Sequence, residues 1–143
     1  MSKQIPKQVM PIVTVDSVDK MRKFYVETLG FDHVMGMVGK DGQLDFATVV
    51  LGGARLMFAR SQADLPTAKP GGATKQPVEI YLEVADVQSY HDQLNKKAVK
   101  MTDPLTTQWW GDRTFKVLDP AGYEIWFYQN VAEPKPPQGA KIV

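Results

Sequence analysis

Residues 113–129, RTFKVLDPAGYEIWFYQ, contain two apolar-rich runs that flank a turn at 119–122. In the second run aliphatic or Phe side chains alternate with acidic and aromatic ones, and a period of two is typical of a strand. The Asp-Pro-Ala-Gly turn indicates that the two runs form a hairpin. A second pair of runs, at 45–51 and 54–60, flanks Gly52-Gly53 and predicts another hairpin earlier in the chain.

A strand and an amphipathic helix precede the first hairpin. Residues 9–15 form a short apolar run that predicts a strand, and Asp16 and Ser17 offer oxygens for a helix N-cap. Apolar residues then recur at helical spacing until Gly30, where a left-handed residue would end the helix. Residues 31–38 predict the next strand, so the first half has the order β-α-β-β-β. The helical positions are Val18, Met21, Tyr25 and Leu29.

The second half of the chain repeats this pattern at a fixed shift of 69 residues. Residues 78–84 predict a strand, Asp86 caps a helix, and a short strand is expected at 99–102. One such module would leave a sheet face bare, so we expect two modules to combine in one α+β fold. Pairs that differ by 69 include Val15 and Val84, Phe46 and Phe115, Leu56 and Ile125, and Phe58 and Phe127.

The predicted organisation is a single domain over residues 1–143 that contains two tandem modules. Module one spans 8–61 and module two spans 78–130. The stretch between them, 62–77, is rich in Pro and Gly and is expected to be a linker. Residues 131–143 carry three prolines and little apolar content. We expect a tail there that is either loose or lies across a neighbour.

The composition argues against several classes of function. Lys and Arg total 17 and Asp and Glu total 16, and a net charge of +1 gives no reason to expect binding to nucleic acid or to an anionic membrane. The absence of Cys excludes disulfides, thiolate metal ligands and a Cys nucleophile. No apolar stretch predicts a transmembrane helix, and residues 1–8 lack the apolar core of a signal peptide. We therefore predict a soluble cytoplasmic protein.

The chain resembles the vicinal oxygen chelate superfamily, which includes glyoxalase I, extradiol dioxygenases, fosfomycin resistance enzymes and bleomycin resistance proteins. The resemblance is carried by DPAGYEIW at 119–126 and by VDSV at 15–18, which recurs as VADV at 84–87. It covers roughly residues 8–130. It implies that the two β-α-β-β-β modules form a curved mixed sheet around a U-shaped cavity, and that the protein is a homodimer.

The resemblance also implies where a metal ion would bind. Metal-using members place four ligands on the cavity face, at positions that correspond here to Met10, Met57, Glu79 and Trp126. These positions obey the shift of 69, from 10 to 79 and from 57 to 126. The divalent cations of such sites prefer oxygen and nitrogen donors, which two thioethers and an indole do not supply. We therefore expect no metal and no cofactor, and no metal-dependent glyoxalase or dioxygenase activity.

The alternation of side chains along each strand then assigns the residues of the cavity face. On the fifth and eighth strands this face is aromatic and acidic, which suits a planar or cationic organic ligand through stacking and cation–π contacts. For the two methionines of the set, plain core packing is the alternative. The predicted ligand-binding residues are Met10, Phe46, Met57, Glu79, Tyr81, Trp109, Trp110, Arg113, Phe115, Glu124, Trp126 and Tyr128.

The loop before the seventh strand contains Trp109 and Trp110 in a polar setting. Exposure of two adjacent indoles is costly, so they could close over a ligand, or one could pack into a dimer interface or the core. Arg113 could hold a carboxylate of the ligand or pair with Glu79 or Glu124. The second alternative has a physical reason, because a cavity with several carboxylates needs a compensating cation.

Glu79 also has two interpretations. It could act as a lone general base or as an anion that recognises a cation, or it could be a structural carboxylate neutralised by Arg113 or Arg55. No Ser-His-Asp set, phosphate-binding glycine loop or basic-aromatic stripe occurs in the chain. The sequence therefore offers no other catalytic constellation.

We predict a metal-free protein similar to the bleomycin resistance proteins, which binds a small aromatic or cationic organic molecule in the cavity of a homodimer, as in antibiotic sequestration. Two alternatives stay open. One is a metal-independent enzyme of lyase or isomerase type with Glu79 as its acid–base group. The other is a stress or partner-binding protein whose cavity is vestigial. One fold hosts many functions, so fold analogy does not choose among the three.

Overall fold

The computed structural model describes residues 4–61 and 78–142, and the predicted linker at 62–77 lies outside this described part. The chain divides into two compact units, Met1–Lys69 and Pro70–Val143. Each unit carries one four-stranded mixed sheet with its own helical segment. The predicted α+β class with two tandem β-α-β-β-β modules is therefore confirmed.

In module one the first strand pairs in parallel with the last, and the other pairings are antiparallel, in the order β1-β4-β3-β2. Helix α1 (Val18–Lys23) begins at Ser17, whose Oγ accepts the backbone N–H of Lys20 at 3.2 Å. It continues as a π-helical turn, Phe24–Thr28, and Gly30 follows with a φ of +85°. The strands are β1 (Ile12–Val15), β2 (Asp32–Val38), β3 (Leu44–Leu51) and β4 (Ala54–Arg60).

The core of module one lies between its sheet and helix α1. Val13 and Val15 of β1 and Leu56 and Phe58 of β4 are buried, as their alternation predicts. The Tyr25 ring, fully buried, packs 5.0 Å from the ring of Phe58, measured between centroids. The residues of β1 and β4 that were predicted to lie on the helix side are thereby confirmed.

Module two has the same topology, with sheet order β5-β8-β7-β6. Its helix α2 (Val87–Lys96) begins at Asp86, whose Oδ1 accepts the N–H of Ser89 at 3.0 Å. The predicted strand at 99–102 is displaced, because β6 extends through Pro104. This is an edge strand with irregular pairing, where the missing N–H of a proline is tolerated. The strands are β5 (Ile80–Glu83), β6 (Met101–Thr107), β7 (Asp112–Leu118) and β8 (Glu124–Asn130).

The shift of 69 residues holds for the two parallel strand pairs. Ile12 lies beside Met57 in module one, and Tyr81 lies beside Trp126 in module two. The third strand of each module is related by 68 instead, because Phe46 pairs with Ala59 whereas Thr114 pairs with Tyr128. The extra residue is in the turn. Residues 52–53 join β3 to β4, whereas 119–123 join β7 to β8; there the N–H of Asp119 donates to the carbonyl of Tyr123 and leaves three residues, 120–122, in the turn.

This single extra residue corrects the predicted place of Phe115. A slip of one residue moves a side chain to the other face of a sheet. Phe115 pairs with Phe127 and is fully buried on the helix side, where Tyr90 and His91 contact its ring. It is therefore a core residue of module two and does not belong to the face that carries Trp126.

The segment that follows β8 is tied to its own module. The backbone N–H groups of Val131 and Ala132 both donate to the carbonyl oxygen of Gly111, and that of Lys135 donates to the carbonyl of Trp109 at 2.6 Å. The predicted tail is thus anchored over residues 131–135 to the loop that carries the two tryptophans. Among the described residues, neither helix is long and apolar enough to cross a membrane.

Candidate functional site

Four aromatic side chains of module two lie together on the sheet face opposite helix α2, and we call them the aromatic face: Tyr81, Trp110, Trp126 and Tyr128. The rings of Tyr81 and Tyr128 are stacked, with centroids 4.3 Å apart and planes 22° apart. Trp126 is tilted against Tyr81 at 5.6 Å and meets Trp110 edge-on at 6.1 Å. Tyr81 is 42% exposed, so the stack is open to solvent.

Hydrogen bonds fix the edge of this aromatic face. The Tyr81 hydroxyl donates to Asp112 Oδ2 at 2.6 Å and accepts the Trp110 indole N–H at 2.9 Å. Asn130 Nδ2 donates to the second oxygen of Asp112 at 3.0 Å. Burial, and then the hydrogen bond to Asp112, raises the pKa of Tyr81 to about 12. The phenol therefore stays neutral at physiological pH and holds its orientation.

The loop at 108–111, which we call the tryptophan loop, holds its two indoles in different environments. Trp110 is part of the aromatic face, whereas Trp109 is 44% exposed and meets Trp110 edge-on at 5.6 Å. The next residue, Gly111, has a φ of +99°, and a Cβ there would clash with the carbonyl oxygen of Ala132. Only glycine fits this position, because residues 130–132 pack directly against the backbone of the loop there.

Acidic residues and one lysine border the aromatic face. Lys116 Nζ lies 2.9 Å from Glu124 Oε2, 3.4 Å from Asp103 Oδ2 and 3.7 Å from Glu79 Oε1. The same ammonium sits 4.1 Å from the ring centroid of Trp126, and the indole N–H of Trp126 donates to Glu79 Oε1 at 3.0 Å. We use the name lysine cage for the cluster of Lys116, Glu79, Asp103, Glu124 and Trp126.

The compensating cation of the site is Lys116, and the prediction that Arg113 pairs with Glu79 or Glu124 is wrong. Arg113 lies opposite Gln129, and its guanidinium donates to Thr107 Oγ1 at 3.2 Å and Gln88 Oε1 at 3.4 Å. The cause is again the longer turn, which reverses the faces of β7. Counting back from the three-residue turn at 120–122, instead of applying one shift throughout, would have found Lys116 on the face of Trp126.

The predicted site residues of module one lie on the corresponding face of their own sheet and are apolar. Met57 and Phe46 are half-buried, and Met10 precedes β1 with 39% of its surface exposed. Ile12, next to Met57, is 59% exposed. These four residues present thioether, aliphatic and aromatic surface, and Arg55, two residues before Met57 on β4, lies on the same face.

The four positions at which the resemblance implies metal ligands do not form a ligand set. Met10 and Met57 offer thioethers, and the Trp126 indole N–H is a donor that is already given to Glu79. Within residues 4–61 and 78–142, no three His, Asp or Glu side chains are grouped so that they could hold a metal ion. The donor chemistry at these positions therefore does not fit a divalent cation.

Comparison with known sequences assigns the family. The sequence model of the Glyoxalase/Bleomycin resistance protein/Dioxygenase superfamily matches residues 7–127. The chain therefore belongs to this superfamily, as the motifs at both ends of the fold predict. A relative from Mycobacterium bovis is 28% identical over 126 residues, which is 86% of this chain and 83% of the relative, and its description assigns no activity.

Solved structures share the fold. A bleomycin-binding protein from Streptomyces verticillus, crystallised with copper(II)-bleomycin, is 27% identical, with a TM-score of 0.65 over 93% of this chain and 100% of that one. TioX from a Micromonospora species is 20% identical with a TM-score of 0.70, over 88% of this chain and 100% of TioX. TnmS3, an antibiotic-binding protein from a Streptomyces species, is 24% identical with a TM-score of 0.62, over 89% and 99%.

Proposed function

We propose that this protein binds a small planar organic molecule, aromatic and positively charged, against the aromatic face of module two. The observation that carries the proposal is the open stack of Tyr81 and Tyr128 beside Trp126. Stacking of rings at these distances contributes about 0.5–1.5 kcal/mol per pair beyond the area buried. A flat ligand that covers this stack would remove exposed aromatic surface from water without a change in the fold.

Charge favours a cationic ligand in this proposal. The lysine cage contains three carboxylates and one ammonium, and Glu83 and Asp112 lie on the same side of the sheet. Negative charge therefore exceeds positive charge around the aromatic rings, which attracts cations and repels anions. The similarity to the bleomycin-binding protein from Streptomyces verticillus supports the same class of ligand. Antibiotic sequestration would be one use of such a site.

Metal-free binding is part of this proposal. The four positions discussed above supply two thioethers, an indole and one carboxylate, and the carboxylate of Glu79 already accepts a hydrogen bond. Affinity for the ligand should therefore be the same with and without a strong chelator such as EDTA. A loss of binding on chelation, restored by a divalent cation, would contradict this part.

A homodimer also belongs to the proposal. Module one exposes Ile12, Met35 and Met37 on the face of its sheet away from helix α1, at 59%, 41% and 58%. Several exposed apolar side chains on one sheet face are typical of an interaction surface. Sedimentation equilibrium of the wild type and of Met37→Lys tests this part. We expect a dimer for the wild type and a shift towards monomer for the variant.

The experiment that tests the binding function is a titration of the tryptophan fluorescence. The ligands are bleomycin, a planar aromatic cation such as proflavine, and a planar aromatic anion of similar size. We expect saturable quenching by the cations and much weaker quenching by the anion. Equilibrium dialysis of the same ligands gives an independent dissociation constant. The absence of saturable binding for every cation would overturn the proposed function.

The metal-independent enzyme is a weaker candidate. Its acid–base group would be Glu79, whose Oε1 accepts the Trp126 indole N–H and faces the Lys116 ammonium. A substrate proton would have to compete with both contacts, so we rank binding above catalysis. An activity on a carbonyl substrate that survives EDTA and disappears in Glu79→Gln would reverse this order.

A further inference from the structure

The lysine cage has the composition of a receptor for a small cation, and the cation it holds belongs to the chain. A Lys ammonium has three donor directions and no acceptor. Lys116 Nζ has a carboxylate oxygen within 4 Å from each of Glu79, Asp103 and Glu124. The Trp126 ring covers a further side at 4.1 Å. Carboxylates together with an indole face are the groups that recognise organic ammonium ions.

The ammonium is held well inside this cage. The Lys116 side chain is only 12% exposed, against 36% for Glu79 and 47% for Asp103. Burial alone would lower the pKa of Lys116, but the hydrogen bond to Glu124 and the charges of Glu124 and Asp103 outweigh it, and the pKa lies above its ordinary value. Lys116 therefore stays charged and fills the cage at every physiological pH.

The lysine cage includes two of the four positions at which the resemblance implies metal ligands, Glu79 and Trp126. In module one the residue paired with Met57 is Thr48, whereas Lys116 is paired with Trp126. Module one thus has no cation at the corresponding place. The lysine belongs to the face that carries the carboxylates.

We propose that Lys116 is a specificity-determining residue that acts as a tethered cation: it fills the lysine cage, excludes compact ammonium ions from it, and leaves only the stacked rings to the ligand. The proposal rests on the proposed binding function, and it narrows the ligand class. Ligands must have a flat aromatic surface for Tyr81 and Tyr128, and a compact cation without rings should not bind the wild type.

The test is to remove the tethered cation. In Lys116→Met the side chain is one atom shorter and uncharged, so the space of the ammonium becomes free, while Lys116→Arg keeps the charge and serves as the matched control. The probes are tetramethylammonium chloride and methylammonium chloride, titrated by calorimetry and by tryptophan fluorescence. We expect at least a roughly tenfold higher affinity of Lys116→Met for one of these cations, because one cation–π contact with carboxylates nearby becomes free.

The outcomes separate clearly. Binding of either probe that is equally weak in wild type, Lys116→Arg and folded Lys116→Met would overturn the proposal. So would tight binding of tetramethylammonium to the wild type. Neither probe has an aromatic ring, so these results do not depend on the titration with planar cations that tests the proposed function.

A second measurement needs no variant and applies if Lys116→Met does not fold. Reductive methylation of the wild type, followed by mass spectrometry, ranks the lysines by reactivity. We expect Lys116 to react at least about tenfold more slowly than the exposed Lys100, because its ammonium is enclosed and ion-paired. Equal reactivity of the two lysines would show that the cage does not form.

Discussion

The two modules share one strand order, but the sheet faces opposite their helices carry different chemistry. In module one Met57 is flanked by Ile12 and Thr48. In module two the equivalent Trp126 is flanked by Tyr81 and Lys116. On the helix side both modules bury mainly apolar residues, because those residues form the core. Packing constrains only one face of each sheet, and the other is free to acquire a function.

Three of the four charged residues of the lysine cage have uncharged counterparts in module one, and the fourth, Glu124, corresponds to Arg55. Lys116 pairs with Asp103 across β6, whereas Thr48 pairs with Met35 across β2. Glu79 lies two residues before Tyr81, as Met10 lies two residues before Ile12, the equivalent residue of module one. The same backbone therefore supports a thioether surface in one module and a lysine cage in the other. This difference places the expected ligand selectivity in module two.

The largest expected effect tests the reversal of the faces of β7. Phe115→Ala removes a fully buried ring and should lower the free energy of unfolding by about 3–5 kcal/mol. Phe46→Ala, at the position matched by the shift of 69, removes a half-exposed ring and should cost about 1 kcal/mol. Urea denaturation of both variants measures the difference. Equal losses would mean that the two phenylalanines occupy equivalent faces after all.

A smaller loss is expected from Gly111→Ala. A left-handed backbone at a non-glycine residue costs roughly 1–3 kcal/mol, and the new Cβ would also meet the carbonyl oxygen of Ala132. Gly53→Ala in the turn of module one is the control, because nothing lies within 4 Å of its Cβ position and its φ is not left-handed. Thermal unfolding should separate the two variants. A stable Gly111→Ala would contradict the support of the tryptophan loop by residues 130–132.

The next effect concerns ligand binding and depends on the proposed function. Trp126→Ala should weaken binding of a planar cation by at least about tenfold, because it removes one ring of the aromatic face and opens the lysine cage. Met57→Ala, its counterpart in module one, should weaken binding by less than about threefold. Equilibrium dialysis measures both dissociation constants. The reverse order would move the main binding surface to module one.

The smallest effect is in the titration of Tyr81, whose pKa is raised to about 12. A raised folded-state pKa means that the contribution of this phenol to stability is complete below pH 10 and declines as the pH rises from 10 towards 12. Asp112→Asn should lower the pKa of Tyr81 but leave it above 10, since burial remains. The absorbance change at 295 nm, with Tyr81→Phe subtracted, measures it. If the pKa of Tyr81 is unchanged in Asp112→Asn, the hydrogen bond between Tyr81 and Asp112 does not contribute to the raised pKa.

Much of the fold could be predicted because it depends on local patterns. The alternation on β4, β5 and β8 placed Phe58, Ile125 and Phe127 in the core, and the caps at Ser17 and Asp86 fixed both helix starts. Tyr81, Trp126 and Tyr128 were predicted for one face and are found together. Whether they bind a ligand stays a prediction. These successes share a cause: period-two patterning is set by burial, which the sequence records directly.

The errors all involve β6 and β7. The strand predicted at 99–102 is in fact β6, Met101–Thr107, which continues through Pro104; the sequence does not say that this strand lies at an edge, where proline is tolerated. A single shift of 69 put Phe115 and Arg113 on the wrong face of β7. It also left Lys116 out of the residues predicted for the face of Trp126. The turn at 120–122 holds one residue more than its counterpart at 52–53, and one residue reverses every side chain of a strand.

The sequence by itself determined the repeated β-α-β-β-β order, the apolar faces against the helices and the unsuitability of Met10, Met57 and Trp126 as metal ligands, because residue type and local period decide these properties. Only the tertiary structure decided which cation pairs with the carboxylates of module two. It also decided that residues 131–135 are hydrogen-bonded to the tryptophan loop. Both depend on strand register and on contacts between segments distant in the chain. The physical reason is that a sheet brings together residues whose sequence separation carries no signal of their pairing.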